Sequence, residues 1–214
     1  MSLQEDIYNK LKKAIIRGEL NPGEKLYEIE IAKKLNVSRT PVREAFRRLQ
    51  VDGDLSFAPN KGVFVTKHPP QEIKEIYDII SVLEGYAVEL AAQRITAKDL
   101  AVLKKYQKQL IKFSSEKKYH QYAEQNYKFH EYLTILSNNA TLVKTISTLR
   151  SRVYRYRFIS VTIPGYLEKY ASEHESIMDA LKMKDSSLAG KYMKAHVDFV
   201  KNILVSFLEE HQKI

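Results

Sequence analysis

The stretch VSRTPVREAFRRL, residues 37–49, decides how the N-terminal third of the chain folds. Its apolar residues recur at the spacing of a helix that buries one face. Ser38 is a good N-cap, and Pro41 can lie in the first turn, where its missing N–H costs nothing. Arg39 and Arg43 lie one helical turn apart on the polar face. The stretch therefore predicts a basic helix that begins after Ser38.

Two helices are predicted before this basic helix and two strands after it. Apolar residues recur at helical spacing over residues 7–15, a pattern that stops at Gly18, and again over residues 29–35. Residues 54–58 and 62–66 are short and β-prone, and a loop with a basic tip joins them as a hairpin. Three helices followed by a hairpin, with the most basic helix third, describe a winged helix-turn-helix. Such a unit places its recognition helix in the major groove of DNA.

The net charge of the chain fits a nucleic-acid partner but is spread over both of its parts. The sequence holds 35 Lys and Arg against 26 Asp and Glu, a net of +9, of which residues 1–67 carry +4 and residues 68–214 carry +5. The density is highest between Lys33 and Arg48, where six basic residues accompany one acid, Glu44. Phosphate neutralisation supplies much of non-specific DNA affinity, so this run is a candidate phosphate-binding surface. The alternative, from charge alone, is a solvated helix face.

The composition excludes several classes of protein. At 44% hydrophobic and 29% charged, the 214 residues are neither disordered nor collagen-like, and they suffice for two domains. The absence of cysteine excludes disulfides, thiolate metal sites and cysteine nucleophiles. The first ten residues lack the basic start and apolar core of a secretory signal, and no stretch approaches the ~18 uncharged apolar residues of a membrane span. We therefore expect a cytoplasmic protein without a membrane partner.

Residues 5–66 resemble the DNA-binding domain of the GntR family of transcriptional regulators. The resemblance rests on GELNPGEKL at residues 18–26, on VSRTPVREAFRRL at residues 37–49 and on KGVFV at residues 61–65. It implies that double-stranded DNA is the partner of this region. The residues that it implies in DNA contact, at the start of the basic helix and at the tip of the hairpin, are Ser38, Arg39, Thr40, Arg43, Lys61 and Gly62.

The chemistry of these residues suits the contacts that the resemblance implies. The guanidinium groups of Arg39 and Arg43 can each donate to O6 and N7 of guanine, which contributes ~1–3 kcal/mol of discrimination per bidentate pair. The hydroxyls of Ser38 and Thr40 at a helix N-terminus suit a phosphate, and plain helix capping is the alternative for Ser38. Glu44 is expected to orient a neighbouring arginine rather than to touch DNA.

A second domain is predicted after the hairpin. The sequence His-Pro-Pro breaks the strand pattern and predicts a linker over residues 68–71, between a winged helix-turn-helix domain (1–67) and an effector-binding and dimerisation domain (72–214). Helical periodicity predicts helices in the second domain at residues 71–93, 97–114, 116–137, 140–160, 166–183 and 186–211. The fold class is therefore mainly α: a winged helix-turn-helix followed by an all-α bundle of six to seven helices.

Three of the six histidines lie on apolar faces of three different predicted helices: His130, His174 and His196. Imidazoles that converge in the interior of a helical bundle can form a metal site. Asn126 precedes His130 by one turn and shares its face. The alternative for each histidine is a hydrogen-bonded core residue. No carboxylate is clearly paired with the histidines as the general base of an enzyme, because helical geometry turns the two glutamates that flank His174 away from its direction.

Residues 70–211 resemble the FCD ligand-sensing domain of the FadR-type branch of the GntR family. The resemblance rests on NYKFH at residues 126–130, on EH at residues 173–174 before IMDAL, and on His196 after the pair YM. It implies a divalent metal ion (Zn, Ni or Mn) held by His130, His174, His196 and, where many such domains have an aspartate, Asn126. An amide oxygen can coordinate a cation but carries no charge, so the affinity should be lower.

The effector is expected to be a small molecule, and the resemblance favours an organic acid. The family often has an arginine one turn before a Leu-Glu pair in the first bundle helix, but residues 79–84 read IISVLE here, which weakens the case for a small carboxylate anchored at that position. Arg150 and Arg157, on one face of a predicted helix, could replace it as effector-binding residues. The alternative is that both side chains extend to the surface. Fourteen tyrosines could supply hydroxyls to a cavity, and the sequence does not say which of them do.

Taken together, these patterns favour a transcriptional regulator over an enzyme. A homodimer would bind a palindromic operator, because paired helix-turn-helix units mirror a dyad. A small molecule or metal in the bundle would bias the relative orientation of the two DNA-binding heads. Two alternatives stay open: a metal-dependent enzyme in the bundle, and a DNA-binding protein whose bundle only dimerises.

Overall fold

The chain divides into two units, residues 1–69 and 70–214, and each has its own main hydrophobic core, with a smaller cluster of Ala87, Leu142 and Ile146 in the second unit. The computed structural model describes residues 2–16, 19–59 and 61–211. The predicted fold class, a mainly helical chain in which a winged helix-turn-helix precedes an all-α bundle, is confirmed.

The described part of the N-terminal unit consists of three helices and a small antiparallel sheet. Its elements are α1 (Leu3–Ile16), β1 (Lys25–Leu26), α2 (Glu28–Leu35), α3 (Arg39–Val51), β2 (Leu55–Ala58) and β3 (Gly62–Val65). The strand order is β1-β3-β2, and β1 is too short for the sequence to show an alternating pattern. Gly18, the predicted end of the first helix, and Asn60, in the predicted hairpin loop, lie outside the described residues.

The basic helix α3 is anchored by its apolar face. Side chains from α1, α3 and the hairpin form the core, among them Ile7, Leu11, Ile15, Val42, Phe46, Leu49, Leu55 and Val65. Lys12 of α1 reaches the chain after α3, where its ammonium lies 2.9 Å from Oδ2 of Asp52 and 3.0 Å from Oδ2 of Asp54. This packing leaves the opposite face of α3, with Arg39 and Arg43, to the solvent.

The described part of the C-terminal unit is an all-α bundle. Its helices are α4 (Pro70–Arg94), α5 (Ala97–Ser115), α6 (Tyr119–Leu136), α7 (Ala140–Thr162), α8 (Leu167–Lys182) and α9 (Ser186–His211). Every predicted helix of the bundle is present, with both ends within three residues of the prediction. Over the ranges that the structure describes, no helix has both the length and the hydropathy to cross a membrane.

Two predicted boundaries in this region are wrong for reasons of backbone geometry. Because α4 begins at Pro70, residues 70–71 of the predicted linker belong to its first turn, where a proline needs no N–H partner and already has a helical φ. The helix α6 begins at Tyr119 rather than at residue 116. The cause is Lys117, whose left-handed backbone (φ 53°) interrupts the helical pattern just before it.

The central helix α4 packs against α6, α7, α8 and α9. Its crossing with α9 is close because each helix has a glycine there: a Cβ on Gly85 would lie 3.1 Å from the carbonyl oxygen of Gly190. A Cβ on Gly190 would overlap the side chain of Glu89. The residue before this crossing, Glu84, is carried into the interior and is only 2% exposed.

Candidate DNA-binding surface and effector cavity

The start of α3 presents the residues expected to contact DNA. Ser38, Arg39, Thr40 and Arg43 are all exposed, with 55% and 51% of the two arginine side chains accessible to solvent. Ser38 occupies the N-cap position with an extended backbone (φ −70°, ψ 165°), but its hydroxyl accepts no hydrogen bond from α3. The hydroxyl therefore does not act as a plain helix cap, and it remains available to a phosphate.

A carboxylate from the neighbouring helix α2 holds both arginines. Oε2 of Glu28 accepts a hydrogen bond from Nη2 of Arg39 (3.1 Å), and the two Glu28 oxygens accept from Nε and Nη2 of Arg43 (3.0 and 2.9 Å). The hydrogen bonds from Arg43 and Arg39 lower the pKa of Glu28, which keeps this carboxylate ionised. The expectation that Glu44 orients an arginine is wrong. Glu44 directly follows Arg43 on the helix, so their side chains diverge, and it forms no ion pair within the described residues.

The tip of the hairpin carries Lys61 and Gly62. Gly62 has a φ of 110°, which residues with a side chain rarely adopt, and this conformation allows the tight turn. Lys25 of β1 lies against the tip, since its Cε would be 3.0 Å from a Cβ on Gly62. The Lys25 ammonium lies 5.0 Å from the centre of the Tyr27 ring. Lys25 is thus a second cation at this wing, and the sequence pattern did not single it out.

In the bundle, three buried histidines from three helices meet. His130 of α6, His174 of α8 and His196 of α9 are 2%, 0% and 3% exposed, and each offers a nitrogen within 4.8 Å of those of the other two. The Nε2 atoms of His174 and His196 are 3.2 Å apart. Burial lowers the pKa of His130 to about 3 and that of His174 well below its usual value. Both imidazoles are therefore neutral, which is the form that binds metal ions.

Two carboxylates that the sequence did not pair with the histidines orient two of these imidazoles. Nδ1 of His130 lies 2.7 Å from Oε2 of Glu84, and Nδ1 of His196 lies 2.8 Å from Oε2 of Glu173. Burial alone would raise the pKa of Glu84, but Arg150 and His130 outweigh burial and hold this pKa well below its usual value. An ionised carboxylate only accepts hydrogen bonds, so Nδ1 of His130 donates to Glu84, and Nε2 of this neutral ring keeps its lone pair.

The polar atoms around this cluster fit a divalent cation. Nε2 of His130 and Oδ1 of Asn126 are buried, and neither has a hydrogen-bond partner among the residues that the structure describes. Asn126 lines the same cavity as His130 and His196. Three imidazole nitrogens and one amide oxygen form a donor set that Zn²⁺, Ni²⁺ and Mn²⁺ accept. Ordinary core histidines would not leave such atoms unsatisfied, because buried polar groups are nearly always hydrogen-bonded.

The cavity beside the histidines has about 460 Å³ of empty space, its opening to solvent included, and both arginines of α7 line it. Nη2 of Arg150 and Nη1 of Arg157 are buried and lack a hydrogen-bond partner within the described ranges. The alternative in which both side chains extend to the surface is therefore wrong. The bond from Nε of Arg150 to Oε1 of Glu84 (2.7 Å) offsets the cost of burying a guanidinium. The hydroxyls of Tyr77 and Tyr170 also line the cavity and are likewise unsatisfied.

Both parts of the chain match known families. Residues 3–65 match the family model described as bacterial regulatory proteins, gntR family, and residues 75–199 match the FCD domain. The chain belongs to the GntR family of bacterial transcriptional regulators. It is 32% identical over 209 residues to the HTH-type transcriptional regulator YdhC of Bacillus subtilis, which covers 95% of this chain and 91% of that protein. It is also 32% identical over 190 residues to the HTH-type transcriptional regulator McbR of Escherichia coli, which covers 86% and 85%.

Solved structures of GntR regulators share the fold of the whole chain. The structure of Escherichia coli McbR/YncC is similar with a TM-score of 0.79 and 28% sequence identity, over 99% of both chains. A GntR transcriptional regulator of Rhodococcus sp. RHA1 has a TM-score of 0.81 at 23% identity, over 96% of this chain and 99% of that one, which is a likeness of fold alone. This GntR-family chain is therefore a transcriptional regulator, and the enzyme alternative is set aside.

The candidate sites of this GntR-family regulator also include three acidic residues, Glu28, Glu84 and Glu173. The sequence alone did not identify them as partners of the arginines and histidines. Glu84 had a clear signal, because it lies on the buried stripe of α4 with Ile80 and Val88 one turn away on either side. A buried acid on an apolar face needs a partner. Glu28 had a weaker signal, as an acid in the first turn of the helix before α3. Glu173 had none, since it is partly exposed and does not lie on the buried stripe of α8.

Replacing Glu28 by glutamine should weaken the discrimination between operator and random DNA. The two arginines lose the group that orients them, and the surface loses a negative charge that repels phosphate. Non-specific affinity should rise, while the ratio of specific to non-specific affinity should fall by about tenfold, within the range that one bidentate base contact contributes. Fluorescence anisotropy with a duplex from upstream of the regulator's own gene and with a shuffled duplex measures both affinities.

The matched control for this experiment is Glu30→Gln. Glu30 lies two residues further along α2, is exposed, and makes no ion pair within the described part of the chain. The substitution Glu30→Gln removes the same charge as Glu28→Gln but leaves the contacts of Arg39 and Arg43 unchanged. The same specificity ratio for Glu28→Gln and Glu30→Gln would show that Glu28 does not orient Arg39 and Arg43.

Proposed function

We propose that this GntR-family regulator binds a palindromic operator as a homodimer, and that a divalent cation and a small organic acid in the bundle control that binding. One observation carries the effector part: the buried cluster of His130, His174 and His196 adjoins a cavity into which Arg150 and Arg157 bring unpaired N–H groups. Each buried polar atom without a partner costs ~1–3 kcal/mol. A bundle that only dimerises would have no reason to retain them, so they favour a ligand-binding role.

The donors around the cavity favour a ligand that is anionic and rich in oxygen. Guanidinium groups such as those of Arg150 and Arg157 match a carboxylate in both shape and charge. The hydroxyls of Tyr77 and Tyr170 can donate to further ligand oxygens. Asn126 and the three histidines would hold Zn²⁺, Ni²⁺ or Mn²⁺, which would supply positive charge beside the cavity when bound. Together these groups suit a small organic acid.

The DNA contacts that we propose follow the exposed side chains of the N-terminal unit. Base contacts are assigned to Arg39 and Arg43, phosphate contacts to Ser38 and Thr40, and contacts near the minor groove to Lys61 and Gly62. The exposure of the two arginines and the free hydroxyl of Ser38 support this assignment. A helix that reads the major groove contacts base edges through residues near its N-terminus, where these four α3 residues lie.

An exposed apolar stripe on α4 supports the homodimer. Ile79, Val82 and Tyr86 are 52%, 55% and 49% exposed, and their spacing places them on one face of the helix. Contiguous exposed apolar side chains mark interaction surfaces in soluble proteins. When the same stripe meets its copy across a two-fold axis, it forms a self-complementary interface. Such a dimer has the symmetry of a palindromic operator.

Removing both base-reading arginines should abolish sequence-specific binding. The variant Arg39→Ala plus Arg43→Ala loses two bidentate donors, so its affinity for the operator duplex should fall to that for shuffled DNA. The control, Lys104→Ala plus Lys108→Ala, makes the same charge change on the exposed face of α5 in the bundle. Electrophoretic mobility shifts with both duplexes measure the effect. Specific binding that survives in the arginine variant would contradict the proposed contacts.

The proposed cation site predicts the metal content of the protein. After incubation with Zn²⁺, Ni²⁺ or Mn²⁺ and desalting, elemental analysis of untagged wild type should find about one ion per chain, the stoichiometry of a single three-histidine site. His174→Ala should retain almost none, because one of three buried imidazoles is gone. His120→Ala is the control, since His120 is exposed and contacts Glu124 (3.7 Å) and the ring of Phe158 instead of the histidine cluster. Equal metal in wild type and His174→Ala, or none in either, would refute the site.

Operator binding should also respond to small carboxylates. With Zn²⁺ present, a panel of two- to six-carbon mono-, di- and tricarboxylic acids should contain at least one that shifts operator affinity about tenfold, within the usual range of allosteric coupling. Arg157→Met should lose this response but keep operator binding, since it removes a cavity donor far along the chain from α3. Arg152→Met is the control, because Arg152 pairs with Glu72 (2.7 Å) and does not line the cavity. If no acid of the panel has an effect, the organic-acid part of the proposed function is refuted.

A further inference from the structure

One buried carboxylate lies between the two kinds of ligand-binding group in the bundle. Oε2 of Glu84 accepts a hydrogen bond from Nδ1 of His130 at 2.7 Å, and Oε1 accepts one from Nε of Arg150 at 2.7 Å. The side chains of all three residues are at most 4% exposed. The two partners therefore share one negative charge where water cannot screen it.

Each of the two partners of Glu84, His130 and Arg150, also has a second nitrogen that lacks a hydrogen-bond partner within the described residues. His130 has its buried Nε2 free toward the histidine cluster, and Arg150 has its buried Nη2 free at the cavity. A cation at Nε2 would polarise the Nδ1–H of His130 and strengthen its bond to Glu84. An anion at Nη2 would neutralise part of the Arg150 charge, and so leave more of the Glu84 charge to His130. Both ligands would shift the shared charge in the same direction.

We propose that Glu84 is a positioning residue that couples the two sites, so that a cation at the histidines and an anion at Arg150 each raise the affinity for the other. The inference rests on the proposed function, and it adds the sign of the cooperativity and the residue that transmits it. Because linkage is reciprocal, the effect of the anion on cation affinity equals the effect of the cation on anion affinity. The regulator would then respond to the two ligands together rather than to either one.

The second carboxylate of the cluster provides an internal comparison. Oε2 of Glu173 accepts from Nδ1 of His196 at 2.8 Å, which is the same kind of contact as that of Glu84. Among the described residues, Glu173 forms no ion pair with an arginine, and 22% of its side chain is exposed. Glu173 can orient its histidine but has no connection to the anion site.

A double-mutant cycle read out as Zn²⁺ affinity tests the coupling without an identified effector. Competition with a chromophoric chelator gives the Zn²⁺ dissociation constant of wild type, Glu84→Gln, Arg150→Met and the double variant. Glu84→Gln should weaken Zn²⁺ binding about 10- to 100-fold, as loss of a group that orients a ligating histidine does. Arg150→Met imitates an anion that withdraws the arginine from Glu84. Arg150→Met should lower the Zn²⁺ dissociation constant when Glu84 is present. The factor by which it does so should be at least five times the factor seen in the Glu84→Gln background.

In the control cycle, Glu173→Gln takes the place of Glu84→Gln. Glu173→Gln should also weaken Zn²⁺ binding, but Arg150→Met should retain its full effect in that background. If Arg150→Met has the same effect with and without Glu84, the coupling is refuted while the cation site stands. If wild type binds no Zn²⁺, both the coupling and the cation part of the proposed function fail.

Thermal unfolding of each variant shows whether it folds. Should Glu84→Gln fail to fold because Arg150 is left buried without its counter-charge, Glu84→Asp takes its place in the cycle. Aspartate keeps the charge but is one methylene shorter, so it cannot reach both partners at their present distances. The effect of Arg150→Met on Zn²⁺ affinity should then shrink in the Glu84→Asp background, and an undiminished effect would overturn the proposal.

Discussion

The interior of the bundle depends on the pairing of one buried carboxylate. Helix α4 carries Glu84 inward beside its close crossing with α9, and an unpaired ionised carboxylate there would cost several kcal/mol. The compensating partners come from two other helices, His130 from α6 and Arg150 from α7. These two bonds tie α6 and α7 to α4 at the depth where the cavity lies. The placement of His130 and Arg150 at the cavity therefore depends on their bonds to Glu84.

This pairing is incomplete, and its incompleteness is what a ligand can use. Glu84 satisfies one nitrogen of His130 and one edge of Arg150, while Nε2 and Nη2 of these residues stay buried without partners. Folding has already removed water from these atoms, so a ligand that supplies the missing contacts does not have to bear that cost again. The same surroundings reject a ligand of the wrong chemistry, because an apolar group would leave the two atoms as unsatisfied as before. Under the proposed function, the selectivity and the affinity of the bundle for its ligand would therefore have one origin.

How much of this could be predicted from the sequence depends on the range of the interaction. Helical periodicity predicts every helix of the bundle because each buries one face, and the three histidines are evident because each interrupts an apolar stripe. Pairings between helices leave no such pattern. Three of them are Glu28 with Arg43, Glu84 with Arg150 and Glu173 with His196, which are 15, 66 and 23 residues apart in the chain. Which helix faces which is decided by tertiary packing, and a single sequence does not record it.

The two units use acid–arginine pairing in the same way but at different depths. Nε of Arg43 donates to Glu28 at 3.0 Å, and Nε of Arg150 donates to Glu84 at 2.7 Å. Holding a guanidinium by this edge restricts its rotamers before a ligand arrives, which spares binding an ordering cost of about 0.5–1.5 kcal/mol per side chain. Arg43 is half exposed, so water screens its bond to Glu28, and the arginine can be drawn to DNA with little penalty. Arg150 has no water to replace Glu84, so its far edge stays directed at the cavity until a ligand of opposite charge reaches it.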